Sequence, residues 1–122
     1  MEKAVIVNPD GKWEIVEFAK GDSLKMMQKA VDGLIEPIDV KPGLTMWVNE
    51  EYLFRADFEH NILASAVYEE ASGVAEHQVF GSVVFTGGTD SAGYTLGLGE
   101  KALSVVQATA EFHEMAVKKT FG

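Results

Sequence analysis

The stretch LTMWVN, Leu44 to Asn49, places apolar side chains on both faces of one extended segment. With a side-chain period of two, Leu44, Met46 and Val48 share one face, and Thr45, Trp47 and Asn49 share the other. Either both faces are covered, by a helix and by another sheet or subunit, or Trp47 is partly exposed. Few folds accept such a strand. The rest of the chain must therefore supply further strands and at least one apolar layer.

Those elements are readable in order. Lys3–Asn8 and Trp13–Phe18 are β-rich runs flanking Pro9-Asp10-Gly11-Lys12, where proline presets a dihedral, aspartate bonds its own backbone and glycine accepts positive φ. GDSLKMMQKAVDG predicts a short amphipathic helix, with Asp22 or Ser23 as cap, Leu24, Met27 and Val31 inward, and Gly33 at a left-handed exit. Leu34–Val40 reads as a strand. After Leu44–Asn49, Asn49-Glu50-Glu51 is expected to turn and Tyr52–Arg55 to return as a strand. Asn61–Ser72 fits a helix capped by Asn61 and stopped by Gly73, with Ile62, Leu63, Ala66 and Val67 inward. Val79–Thr86 and Tyr94–Leu98 read as strands joined by a glycine-rich loop. The last element, about Glu100 to Lys119, carries an apolar stripe of Leu103, Val106, Ala110 and Val117. Val105, Ala108, Phe112, Met115 and Ala116 widen that stripe beyond the ordinary band of roughly 100°. The expectation is a helix that packs on the sheet with one side and meets a second copy through Val105, Phe112, Met115 and Ala116. Together these elements predict an α+β fold: a mainly antiparallel sheet with helices packed on it and a long C-terminal helix.

Length and charge narrow the function. At 122 residues the chain is one domain, 1–122. It has no cysteine, hence no disulfide framework or thiol nucleophile, and the cytoplasm is the default compartment. No apolar run approaches the roughly 20 residues of a membrane span. A formal net charge of −9, with its lysines scattered, argues against binding a nucleic-acid polymer. Such acidity maintains solubility or meets a basic host protein.

No catalytic frame is legible. The three histidines lie beside glutamates, as Glu59-His60, Glu76-His77 and His113-Glu114, without the helical spacing of a zinc site. No nucleophile elbow is present. The expectation is a protein that is not an enzyme and has no metal or cofactor. The loop Gly87-Gly88-Thr89-Asp90-Ser91-Ala92-Gly93 lacks the Gly-Lys-Ser/Thr of a phosphate loop, and reads as a long hairpin connection or as a backbone-amide anion site. Arg55 is the only arginine. Its planar fork suits a phosphate or carboxylate, and equally a salt bridge to Asp57 or Glu59. Trp47, Tyr52, Phe54, Phe80 and Phe85 are either core or a platform for a base.

MMQKAVDGLIEPIDV, GLTMWVNEEYLF and FGSVVFTGGTDSAGYTLGL, taken in order and spacing, resemble a domain of unknown function, family 3846. The shared features are a helix ending near glycine before Ile-Glu (Asp32–Glu36), Leu-x-Trp-Val-Asn-Glu-Glu (Leu44–Glu51) and a late glycine-bounded hairpin (Gly81–Leu98). The resemblance spans roughly residues 3 to 100. Tyr52 stands where the family usually has glycine, RADFEHN replaces a proline-rich loop, and Ser82 replaces an acid. The resemblance implies a phage or mobile-element accessory protein, and by association a role against host defence. It implies no catalytic residues.

The expectation from these features is a non-enzymatic protein that sequesters a small nucleotide immune signal in the bacterial cytoplasm. Its candidate ligand residues are Trp47, Asn49, Arg55 and Phe80, with Thr86, Gly87, Gly88 and Asp90 of the loop. The alternative is an acidic inhibitor that occupies a basic surface of a host protein.

Overall fold

The computed structural model describes residues 1–75 and 77–121, with side chains described through Glu114. Two antiparallel hairpins, β1 (Glu2–Val7) with β2 (Trp13–Phe18) and β3 (Ile35–Lys41) with β4 (Leu44–Asn49), come first in the chain. Between the hairpins in sequence lies α1 (Ser23–Val31), and after them α2 (Ile62–Ser72). A late four-residue strand, β5 (Val83–Thr86), then slots between β1 and β4 and joins the hairpins into one five-stranded sheet of order β2-β1-β5-β4-β3. The chain ends in α3 (Glu100–Phe121).

The sheet is covered on both sides. One face carries Val5, Val7, Met46, Val48, Val83 and Phe85 beneath α2 and α3, which contribute Leu63, Ala64, Val67, Val106 and Ala110. The other face carries Ala4, Phe18 and Val84, with Ile6 and Trp47, beneath Met27 and Val31 of α1. The apolar residues of LTMWVN thus have cover on both faces, and Trp47 is half-buried because α1 lies over it. All four residues of β5 are buried, as its central position requires.

Local chemistry explains the element ends. Asp10 accepts the Lys12 amide at 2.9 Å, and Gly11 has φ of 84°, which closes the first hairpin. Asn61 accepts the Ala64 amide at 3.0 Å as N-cap of α2, and Gly73 ends that helix at φ 77°.

Several expectations are corrected. Tyr52–Arg55 does not return as a strand, because β3 and β5 already occupy both sides of β4; the segment forms turns instead. Tyr94–Leu98 is likewise no strand. Beyond an isolated Thr89–Thr95 bridge and the backbone bonds of Leu96 to Gly87 and Gly88, it meets β1 where the Gly97 amide donates to the Glu2 carboxylate at 3.0 Å and the Leu98 amide to the Lys3 carbonyl at 2.8 Å, since β5 takes up the partner positions from Val5 onward. β5 is shorter than Val79–Thr86 because β1 ends at Val7 opposite Val83, and residues 79–81 pair instead with 59–61 before the chain bends at Gly81, φ 82°. Asp32, not Gly33, is the left-handed C-cap of α1, at φ 60°. Leu24 and Ile62 are exposed rather than inward, each placed past the rim of the face its helix buries.

Candidate functional site

The sheet has two ends, and the residues singled out by sequence divide between them. At the end where β4 finishes, Asn49 is buried beneath the last turn of α1. Its side-chain amide donates to the carbonyls of Val31 and Asp32, both at 3.1 Å, and its oxygen accepts the Glu51 amide at 2.8 Å. One side chain therefore satisfies two carbonyls that a helix end leaves without partners, and starts the next turn. Gly33 permits this, for a Cβ there would lie 2.7 Å from the Asn49 amide nitrogen.

The chain then winds through turns closed by Tyr52 N–H to the Asn49 carbonyl and Phe54 N–H to that of Glu51. Tyr52 packs on the α2/α3 side of the core. Arg55 folds back, donating Nε and Nη2 to the two carboxylate oxygens of Asp57, each at 2.8 Å, and Nη2 to Asp32 at 3.4 Å. Its guanidinium lies 4.3 Å from the centre of the Phe58 ring. Of the two carboxylates named from the sequence as partners for Arg55, Asp57 is the one it pairs with. Asp32, an unforeseen partner, extends that bridge to α1. Hydrogen bonding to Arg55 lowers Asp57 from 3.8 to about 2 against the opposing effect of desolvation, with smaller help from a backbone amide and from the Arg55 charge, and Asp57 in turn holds Arg55 above its ordinary value.

The sign of this linkage gives a prediction. Asp57 is depressed on folding, so its contribution is complete above pH 4, roughly, and is lost as pH falls through its folded value. Arg55→Ala should lower the melting temperature by a few degrees at neutral pH, and the gap from wild type should close between about pH 4 and pH 2. A gap constant across that range in a pH series of thermal melts would show that the bridge contributes nothing.

At the opposite end, loop 87–93 is closed on its own carboxylate. Asp90 accepts the Ala92 and Tyr94 amides, both at 2.9 Å, and pairs with Lys20 Nζ at 2.7 Å. Lys20 holds the Asp90 carboxyl below its ordinary value. Two of the amides that a bound anion would use are thus occupied by Asp90. Gly87 is buried against the neighbouring strand of loop, where a Cβ would fall 2.2 Å from the Gly97 carbonyl oxygen; nothing lies within 4 Å of one at Gly88.

Trp47 lies between the two ends, under α1, and reaches Thr86 at the end of β5. Trp47 Nε1 donates to Thr86 Oγ1 at 2.8 Å, and Thr86 donates on to the Gly87 carbonyl at 3.1 Å. Phe80 is half-buried, its ring 5.3 Å from that of His60. Of the ligand residues expected from sequence, Asn49, Arg55 and Phe80 belong to one end, and Thr86, Gly87, Gly88 and Asp90 to the other. Thr86 pairs with Thr45, so about 13 Å of β4 separates that end from Asn49. Both faces of the sheet in between are covered by helices.

The α3 residues expected at an oligomer contact are only partly described: Val105 is half-buried, Phe112 is 69% exposed, and the side chains of Met115 and Ala116 lie outside the described residues. Val117, of the apolar stripe, lies outside them likewise. His60 and His77 make separate ring contacts, with Phe80 and Tyr68, and His113 meets Phe112; Glu76 lies outside the described residues. Among the described residues, no group of three or more His, Cys, Asp or Glu is disposed to hold a metal ion. Nor, among them, is any helix long and apolar enough to cross a membrane.

The family model of DUF3846, a domain of unknown function, matches residues 1–113. The chain belongs to that family. The match runs further than the three motifs, through the first half of α3. The Ser82 hydroxyl donates to Asn8 at 2.6 Å and ties the start of β5 to the first hairpin. The RADFEHN segment holds the Arg55–Asp57 bridge. No curated protein and no solved structure matches the chain.

Sequence reasoning missed Leu53, and named Phe54 only as core or as a platform for a base. They stand 68% and 85% exposed on the turns beyond Asn49, and in the sequence they pass for the apolar half of a returning strand.

Proposed function

We propose that this DUF3846 protein is a non-enzymatic binding protein that docks an acidic surface on a basic region of a partner protein. The observation that carries this reading is the internal use of its anion-binding groups. Arg55 is engaged by Asp57 and Asp32, and Lys20 with two loop amides by Asp90. Meanwhile Glu50, Glu51 and Glu59 are exposed around one end of the sheet in a chain of net charge −9. An acidic surface of this kind steers and orients a basic partner. We take from the family resemblance a phage or mobile-element origin, which makes a bacterial host protein in the cytoplasm the natural partner and interference with a host process the natural outcome.

Sequestration of a small nucleotide immune signal has less support within one protomer, since Arg55 and loop 87–93 do not face a common space. A thermal-shift panel of cyclic and ADP-ribose-derived nucleotides distinguishes the two. The expected result is no stabilisation by any nucleotide, together with capture of basic proteins from bacterial lysate and their release when salt is raised. Exposed charge contacts weaken once the Debye length falls from about 10 Å at 0.1 M toward 3 Å at 1 M. A nucleotide that stabilised the fold by about 2.7 kcal/mol at a hundredfold excess over its Kd, and came back unchanged, would return sequestration as the function. Recovery of a converted product would make the protein an enzyme.

A further inference from the structure

A single exposed hydrophobic residue is ordinary, but apolar side chains exposed together and rimmed by polar residues mark an interaction surface. Phe54 is 85% exposed and Leu53 beside it 68%. The loop bearing them is fixed at both ends and in the middle. Asn49 ties its start to α1, Tyr52 anchors its middle in the core, and Arg55 clamps its end through Asp57 and Asp32. Beyond the clamp, Phe58 rests where a Cβ on Gly81 would strike it at 2.9 Å, so the return path is closely packed as well. Leu34, also exposed, adjoins the loop, its carbonyl accepting the Glu50 amide at 2.9 Å. An apolar pair held in place before binding costs little ordering on association, which is what an interface anchor requires.

The charge around the pair selects the partner. Glu50 and Glu51 precede it and Glu59 follows, all exposed, while Arg55, the one cation in this segment, is turned onto Asp57 and Asp32. An anionic membrane would press like charge against those carboxylates. A nucleic acid would do the same. The geometry points to loop 50–59 as a docking surface in which Leu53 and Phe54 enter an apolar patch on a basic protein face, with the carboxylates engaging the lysines or arginines at its rim. This rests on the reading of the protein as an acidic binding module and names the surface it uses.

The test uses the full-length 15N-labelled protein and three synthetic peptides: an amphipathic helix of leucine and lysine, its leucine–glutamate counterpart, and an all-lysine chain. The leucine–lysine peptide should shift the amides of residues 50–59 and Leu34 and bind at least tenfold, roughly, more tightly than either of the others. Leu53→Ser with Phe54→Ser should weaken it by a similar factor while leaving the melting temperature and the rest of the spectrum in place, since both side chains are already in solvent. Equal affinity of the double variant, or shifts mapping to α2 and α3 instead, would overturn the surface while keeping the acidic-module reading. Failure of both basic peptides to bind anywhere would overturn the module reading too.

Discussion

Replacing Gly87 with alanine should destabilise the protein by about 3 kcal/mol, whereas the same change at Gly88 should leave it within about 0.5 kcal/mol of wild type. The two glycines are adjacent, yet their surroundings are opposite. A Cβ at Gly87 would lie 2.2 Å from the Gly97 carbonyl oxygen and 3.1 Å from its carbon. These are backbone atoms of a segment that cannot retreat. The Leu96 carbonyl accepts the Gly87 amide at 2.9 Å, and Leu98 N–H bonds Lys3 at 2.8 Å. Gly97 is pressed on β1 in turn, for a Cβ there would meet the Lys3 nitrogen at 2.5 Å. Relief would separate the loop from β1 and strain the exit of β5, the strand that joins the two hairpins. Gly88 has open space and no positive φ, so alanine fits. Urea denaturation of the two variants checks this. Equal effects at both positions would mean that the loop matters through some property the glycines share, such as an amide cradle, rather than through this close approach.

Asn49→Ala should cost about 3 kcal/mol and abolish docking through the loop beyond it. The substitution strands the carbonyls of Val31 and Asp32 and the amide of Glu51 at a site where Asn49 itself is 3% exposed. A buried polar group left without its partner costs about 1–3 kcal/mol. Asn49→Asp is the sharper variant. It is nearly isosteric and still accepts from Glu51, but it turns a carboxylate toward two carbonyls at the negative end of α1. It should be at least as destabilising as alanine, although the shape is kept. If Asn49→Asp were tolerated at neutral pH, the bracket would be filling space and not satisfying a helix end. Hydrogen exchange should show where the loss falls, in the last turn of α1 and in residues 50–55 before the rest of the sheet.

These two positions show how unevenly the sequence reveals the protein. Period-two alternation in β1, β2 and β4, the Pro-Asp-Gly turn, the Asn61 and Gly73 caps and the helical stripe of α3 all arise within a few residues of chain, so the elements and the α+β class follow from the residues alone. So does the acidity that disfavours nucleic acid. What neighbouring residues cannot encode is which strand takes which partner. β5 enters between β1 and β4 only through contacts distant in sequence, and that placement denies Tyr52–Arg55 and Tyr94–Leu98 the strand pairing their composition suits. The same holds at the site. Arg55 and the 87–93 loop look like parts of one anion pocket when read along the chain. Strand direction sends them to opposite ends of the sheet, and each there meets a carboxylate of its own, Asp57 with Asp32 for one and Asp90 for the other. Hydrophobicity alone likewise marks Leu53 and Phe54 for the interior. Only the closed sides of β4 leave them outside, because burial is decided by which surfaces the completed sheet still has to cover.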